Sequence, residues 1–344
     1  MKNTHYASIG TLLILVLLAS TTLLGGKHES LAKSQAEIKG VSFVGPPRKL
    51  EENPFGRVQQ VNASWVAVTP YGYSRGSAGD LIYQTRWQWW GEGPEGVKNL
   101  IQFAQEKNLK VMLKPHVWVI GQGWTGEYAC ETESCWQEWE KNYTEYAVVY
   151  ARMAQEMNVD LFCIATEYRM VVRYRPLFWP RLIKAIKQVY TGPLTYAANW
   201  DNYQRVEFWD QLDYIGIDAY FPLVDKQMPT TAEIQNGWKP WGDKLEAFSQ
   251  KWNKPILFTE YGYCSRDYAA KDPWAEHNDM EVNLELQKRT YEAMFNALWD
   301  QPWFAGGFAW KWYDNDTKAG GPSHKGFTPQ NKPALEVMKE RYGE

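Results

Sequence analysis

Short apolar runs alternate with amphipathic segments along most of the chain. Eight runs have the length and apolar character of buried parallel strands: residues 41–44, 65–70, 111–118, 161–167, 194–199, 214–220, 255–263 and 304–312. Apolar positions at helical spacing predict helices over 94–107, 135–157, 178–190, 231–252, 280–299 and 333–342. This alternation predicts the α/β class and a (β/α)8 TIM barrel.

An open, doubly wound sheet is the competing fold. It is disfavoured because no glycine-rich phosphate turn follows the first strand. A chain of 344 residues can form one barrel, and no Ser/Pro/Gly-rich linker divides it. We therefore expect a single barrel domain over residues 41–344.

Two of the predicted strands end in a carboxylate. One run stops at Glu167, and another reaches Glu260 just before a glycine-containing loop. An isolated glutamate at a strand end more often caps a loop or pairs with an arginine. Two in matched settings suggest a pair, because catalytic groups of such barrels lie at the carboxyl ends of the strands. A pair of carboxylates can divide the work of glycoside hydrolysis between a nucleophile and an acid.

Other polar residues fall at the ends of neighbouring strands. Lys114 and His116 are two apart in the third run, so they share one side of it. Asn199 ends the fifth run and Tyr220 ends the sixth. A lone histidine is often structural, but its pairing with a lysine favours a cleft. We expect these four residues to contact substrate.

Aromatic residues are the compositional outlier, with 19 Trp, 21 Tyr and 13 Phe. Many lie beside Gly, Asn, Asp or Pro in predicted loops, where exposed rings can stack on the flat faces of sugars or bases. A net charge of −3 lacks the basic footprint of a nucleic-acid-binding protein. We therefore expect a carbohydrate partner and no nucleic acid.

The first 32 residues have the pattern of a signal peptide. Lys2 gives a positive start, residues 9–24 are apolar apart from small Gly, Ser and Thr, and residues 30–32 offer a small-x-small cleavage site. The apolar run is short of the ~20 residues that span a bilayer. We expect export to the periplasm or the medium, no permanent membrane span, and a polar spacer over 33–40. An uncleaved N-terminal anchor is the alternative.

The four cysteines divide into a close pair and two isolated residues. Cys130 and Cys135 bracket a short polar segment and can close a disulfide in an exported protein. Cys163 and Cys264 look unpaired, and Cys163 lies in an apolar run as a core residue would. No CxxC motif occurs and the five histidines are scattered, so we expect no metal and no cofactor.

Five segments together resemble glycoside hydrolase family 113: residues 163–167, 196–201, 212–222, 259–263 and 306–312. The resemblance covers residues 39–342. It implies a retaining (β/α)8 glycosidase with its glutamates on strands four and seven, and the characterised activity of that family is endo-β-1,4-mannanase. Glu167 would then be the acid/base, Glu260 the nucleophile, and a β-mannan-type polysaccharide or oligosaccharide the substrate.

The resemblance also implies how the reacting sugar is held. Trp310 resembles the aromatic floor beneath that sugar, and Tyr261 can pack on the nucleophile or simply within its loop. In related families an asparagine precedes the acid/base and bonds the sugar 2-hydroxyl, whereas Thr166 stands there in this chain. We expect Asn199 or His116 to make that contact instead.

Two other interpretations stay open at this point. An exo-acting β-mannosidase or a transglycosylase would use the same chemistry, and the loops over 71–93, 121–135 and 267–279 would decide between closed and open clefts. A non-catalytic carbohydrate-binding protein would keep the aromatic cleft but could dispense with either glutamate.

Overall fold

The computed structural model describes residues 36–76, 78–276 and 279–344. Its strands are β1 (Ile38–Phe43), β2 (Trp65–Val68), β3 (Tyr71–Ser74), β4 (Lys110–Leu113), β5 (His116–Val119), β6 (Leu161–Thr166), β7 (Leu194–Asn199), β8 (Ile215–Asp218), β9 (Ile256–Tyr261) and β10 (Phe304–Trp312). Its helices are α1 (Gly56–Gln60), α2 (Pro94–Glu106), α3 (Glu133–Glu156), α4 (Arg169–Tyr174), α5 (Phe178–Lys187), α6 (Thr231–Trp252), α7 (Leu284–Leu298) and α8 (Ala334–Gly343).

Eight parallel strands close into a barrel in the order β1-β10-β9-β8-β7-β6-β4-β2, which confirms the predicted fold. Helices follow most strands. The connection from β7 to β8 instead uses two short 3-10 turns, Tyr203–Arg205 and Trp209–Gln211. The start of α6 was predictable to the residue, because Thr230 and Glu233 form a capping box there.

Proline ends two of the barrel strands, and it breaks the run predicted over 111–118 into two strands. β2 ends before Pro70 and β4 ends before Pro115, because proline has no N–H with which to continue a barrel ladder. The chain then starts a separate parallel pair, β3 and β5, in which Tyr71 lies opposite His116. The prediction of one continuous strand over 111–118 is therefore wrong.

The barrel interior is filled by side chains that alternate with outward-facing ones along the strands. They form one buried cluster of Ile38, Trp65, Ala67, Met112, Leu161, Cys163, Ala197, Leu257, Ala305 and Phe308. Cys163 is a core residue, as expected. A larger cluster outside the barrel joins the strands to the helices.

Of the predictions for residues 1–40, the structure bears only on the last few residues, because its description begins at residue 36. β1 begins at Ile38, three residues before the predicted domain start, so the end of the expected spacer belongs to the barrel. The predicted signal peptide lies outside the described residues. Within them, no helix is long and apolar enough to cross a membrane.

Candidate active site

A cleft of about 830 Å³ opens at the carboxyl ends of the barrel strands. It is lined by Tyr71, His116, Val117, Trp118, Gly123, Trp124, Thr125, Thr166, Glu167, Arg169, Asn199, Trp200, Asp201, Tyr220, Glu260, Trp274, Glu276, Trp310, Lys311 and Phe327. Both strand-end glutamates therefore face the same space, as the sequence predicted. A second cavity of about 700 Å³, on the outer side of α4 and α5, contains neither glutamate.

Glu260, on β9, is held by two donors. Lys114 Nζ lies 2.5 Å from its Oε1, and the Tyr220 hydroxyl donates to its Oε2 over 2.7 Å. His116 Nε2 lies 3.6 Å from Oε1 and has no hydrogen-bond partner among the residues that the structure describes. An ammonium and a phenol on one carboxylate stabilise its negative charge, which is the form that attacks as a nucleophile.

Lys114 is shared between Glu260 and a third carboxylate, Asp218 at the end of β8. Its Nζ lies 3.0 and 3.2 Å from the two Asp218 oxygens, and the Thr259 hydroxyl donates to Asp218 Oδ1 over 2.8 Å. Burial alone would lower the Lys114 pKa, but the attraction of Asp218 and Glu260 outweighs it and raises the pKa above its ordinary value. The lysine therefore stays charged although its side chain is fully buried.

Burial and the charge of Glu260 raise the pKa of Asp218 to about 7, even though Lys114 opposes the shift. This carboxylate was not among the predicted site residues. The signal for it in the sequence is a charged residue within the otherwise uncharged run predicted over 214–220.

Glu167 is the first residue after β6, and its φ of 55° turns the side chain out of the strand. Its backbone N–H donates to the Ala197 carbonyl over 2.7 Å, which fixes that turn on the neighbouring strand β7. The Trp124 indole N–H donates to Glu167 Oε2 over 2.5 Å. The guanidinium of Arg169 covers the Trp124 ring at 4.9 Å.

Burial, together with the charges of Asp218 and Glu260, raises the pKa of Glu167 well above its ordinary value. Lys114 and the Trp124 hydrogen bond act in the opposite direction but do not cancel the shift. A carboxyl group with a raised pKa keeps its proton to higher pH than an ordinary glutamate does, and it can serve as a general acid. Glu260 therefore has the two donors that stabilise a nucleophilic carboxylate, and Glu167 has the raised pKa that a general acid needs.

Aromatic rings form one wall of the cleft beside Glu260. The ring of His116 lies parallel to that of Trp310, with centroids 6.2 Å apart, and Tyr71 lies 5.1 Å from His116 on the other side. Burial and the nearby charge of Lys114 lower the His116 pKa well below its ordinary value, so the imidazole is neutral. Trp310 is partly exposed to the cleft, in the place where a sugar platform is expected.

The existing hydrogen bonds of Thr166, Asn199 and His116 bear on which of them can bond the sugar 2-hydroxyl. The Thr166 hydroxyl donates to the Pro115 carbonyl over 3.2 Å, so its proton is already used. Asn199 reaches the cleft, but its amide donates to Asp201 over 3.1 Å and its oxygen accepts from the Trp200 N–H over 3.0 Å. His116 offers the freer polar atom of the two candidates.

Two of the predicted substrate contacts need correction. Tyr261 follows Glu260 on the same strand, so its side chain points to the opposite face. Its hydroxyl lies 2.6 Å from that of Tyr342, and its ring packs outside the barrel, so it does not contact the cleft. Lys114 lies beneath the cleft floor, where its fully buried side chain contacts carboxylates and is out of reach of a sugar in the cleft.

Four further aromatic residues of the cleft were not among the predicted site residues, and the signal for them was the aromatic content of segments predicted as loops. Tyr71 and Trp124 come from the connections after β2 and β5, and Trp200 and Trp274 from those after β7 and β9. The Trp200 and Trp274 rings stack with centroids 5.3 Å apart. The loop with Trp124 is tied to the start of α3 by the predicted Cys130–Cys135 disulfide.

The sequence model of Glycoside Hydrolase Family 113 matches residues 51–332. The chain belongs to that family. This confirms the resemblance inferred from the five segments, and it makes the family 113 chain a glycoside hydrolase that acts on O-glycosyl bonds. No curated protein matches it.

Solved structures of family 113 members superpose on nearly the whole barrel. A GH113 β-1,4-mannanase complex is 25% identical, with a TM-score of 0.78, and covers 89% of this chain and 99% of that chain. GH113 β-mannanase AaManA from Alicyclobacillus acidocaldarius, in complex with ManMIm, is 25% identical at the same TM-score and covers 90% and 99%. A Ruminococcus gnavus β-glucuronidase, 16% identical with a TM-score of 0.61 and covering 88% of this chain and 49% of that one, shares the fold.

Proposed function

We propose that this family 113 enzyme is an endo-β-1,4-mannanase that retains configuration. The observation that carries the proposal is the unequal setting of the two glutamates: Glu260 lies between Lys114 and Tyr220, and Glu167 has a raised pKa and no cation in contact within the described part of the chain. The β-mannanases among the structural neighbours support the choice of sugar. The cleft of about 830 Å³, lined by aromatic rings that include Trp118, Trp274 and Trp310, suits an internal segment of a chain.

In the first step Glu260 attacks the anomeric carbon while Glu167 gives its proton to the departing oxygen. A covalent glycosyl ester forms on Glu260, and the leaving chain departs with the proton. Lys114 and Tyr220 hold the attacking carboxylate in place and stabilise its charge before the bond forms.

In the second step Glu167, now ionised, takes a proton from water, which attacks the same carbon and releases Glu260. Trp310 would stack on the apolar face of the reacting sugar. His116, neutral and beside Glu260, would bond the 2-hydroxyl, which is axial in mannose and so distinguishes it from glucose.

Glu260→Ala tests the assignment directly. We expect loss of turnover on soluble mannan with an unchanged fold, and azide should yield a glycosyl azide of inverted configuration from the vacated side. Glu276→Gln is the matched control, because Glu276 also lines the cleft but only pairs with Lys311 at 3.7 Å. Substantial hydrolysis by Glu260→Ala, or faster turnover of cellulose than of mannan and glucomannan by the parent, would contradict the proposal.

We also infer that the enzyme is exported. The signal-like pattern of residues 1–32 supports this, and so does the Cys130–Cys135 disulfide, because disulfides persist in oxidising compartments. Mass measurement of the N-terminus of protein recovered from the culture medium or periplasm tests it; retention of all 32 residues in the cytoplasm would contradict it.

A further inference from the structure

The small sheet of β3 and β5 presents one buried face and one open face. Tyr71 pairs with His116 and Tyr73 with Trp118, and all four side chains are partly or largely exposed. The residues between them, such as Val117, are buried. Because side chains alternate along a strand, the four open ones share one face of the sheet.

This open face carries five rings, named here the aromatic strip: Tyr71, Tyr73, Trp87, His116 and Trp118. Tyr71 lies 5.1 Å from His116, and Trp87, from the loop after β3, lies 4.5 Å from Tyr73. The strip begins in the cleft, since Tyr71, His116 and Trp118 all line it. It ends at Trp87, beyond the cleft wall.

The outer rings of the strip are costly to expose unless they bind something. Trp118 is 51% exposed and Trp87 58% exposed, although large apolar side chains normally find cover. They are nevertheless held in place. The Tyr73 hydroxyl donates to Glu92 over 2.7 Å, and the Trp118 ring lies so close to Gly123 that a Cβ there would approach it to 3.3 Å.

We propose that the aromatic strip binds the sugar units that adjoin the reacting unit of a β-1,4-linked chain. The occupant follows from position: Tyr71, His116 and Trp118 line the cleft that holds Glu260, so a chain whose reacting sugar lies at Glu260 meets the next rings of the same sheet as it leaves the cleft. Rigid, exposed tryptophan faces suit the apolar faces of successive hexoses. The proposal rests on the proposed function and extends it to the part of the polymer outside the reaction centre.

Binding to an inactive background tests the strip without relying on turnover. Titration calorimetry on Glu260→Ala, alone and combined with Trp118→Ala or Trp87→Ala, would use β-1,4-mannooligosaccharides of increasing length. We expect each tryptophan substitution to weaken binding of the longest chain by about 5- to 150-fold, by analogy with the stacking of bases on aromatic rings. Binding of the shortest chain should not change. The melting temperature should stay near that of the parent because both rings are exposed.

Trp89→Ala is the matched control, because Trp89 lies on the same loop as Trp87 and is 47% exposed but is not a member of the strip. Equal losses on short and long chains, or long-chain binding that survives both substitutions, would overturn the proposal. If mannan chains bind nowhere but gluco-oligosaccharides bind the Glu260→Ala protein, the proposed sugar is wrong. Gluco-oligosaccharides of increasing length would then test, independently of the sugar, whether the aromatic strip binds the longer chains.

Discussion

Lys114→Met removes the cation that two buried carboxylates share. Methionine keeps much of the volume of the lysine stem but leaves Asp218 and Glu260 facing each other, with side chains that are only 1% and 7% exposed. Asp218 loses the contact that opposes the rise of its pKa. The variant therefore tests whether Lys114 organises the site or merely fills space.

The expected loss of stability is large. At an effective dielectric constant of 20, a contact of 3.0 Å between Lys114 and Asp218 corresponds to about 5 kcal/mol. Breaking a buried pair by removing one partner costs about 3–5 kcal/mol in measured cases. The unfolding entropy is about 2.1 cal/mol/K per residue, summed here over the roughly 310 residues of the barrel domain. A loss of about 3–5 kcal/mol then predicts a Tm lower by roughly 5–8 °C.

The sign of the pH dependence follows from the carboxyl groups. A proton on Asp218 can replace the missing ammonium, so the deficit relative to the parent should be smallest at acid pH. It should grow as pH rises through the raised Asp218 pKa, because the folded state then holds two unpaired buried charges.

Calorimetric melting from pH 4 to 8 measures this deficit, and kcat/KM on mannan over the same range measures the accompanying loss of activity. Lys114→Met with Asp218→Asn should recover part of the stability, since the second carboxylate is gone. Lys288→Met is the control, because Lys288 forms a half-exposed pair with Glu292 at 3.6 Å and should leave Tm unchanged. A Lys114→Met variant with parental Tm and pH profile would refute the reasoning.

Two other substitutions separate roles within the cleft. Trp124→Phe removes the N–H that stabilises ionised Glu167, so the Glu167 pKa should rise and the basic limb of the kcat/KM profile should move to higher pH; an unmoved or lowered limb would contradict this. Trp310→Ala should reduce kcat/KM by the equivalent of about 1–3 kcal/mol, by analogy with base stacking, with little change in Tm. A large fall in Tm with parental kcat/KM at low temperature would show instead that Trp310 is a core residue.

The barrel and its two glutamates were predictable because they depend on local pattern. A run of apolar residues that stops at Glu167 or Glu260 already contains the strand, its direction and the group at its carboxyl end. The alternation of such runs with helical segments then fixes which end of the barrel they share. No distant contact is needed for that part of the inference.

The remaining site residues depend on contacts that a linear pattern does not contain. Lys114 and His116 were expected to act alike from their spacing, but Pro115 separates their strands, so one lies beneath the floor and the other in the wall. Trp124 reaches Glu167 through a loop whose path is set by tertiary packing. The sequence alone was enough to exclude Tyr261 from the cleft, because a residue adjacent to Glu260 in a strand must face away from it.

Burial, and after it the charges at the floor of the cleft, raise the pKa of Glu167. Three carboxylates, Glu167, Asp218 and Glu260, share this space with the buried ammonium of Lys114, and His116 is neutral. Lys114 contacts Asp218 and Glu260 but not Glu167, so Glu167 is the carboxyl group for which ionisation is least compensated. Arg169, which covers Trp124 at the rim, is already paired with Glu127 and Asp201. Lys114 therefore favours the charged forms of Asp218 and Glu260 over that of Glu167, and removing its charge should lower both activity and stability.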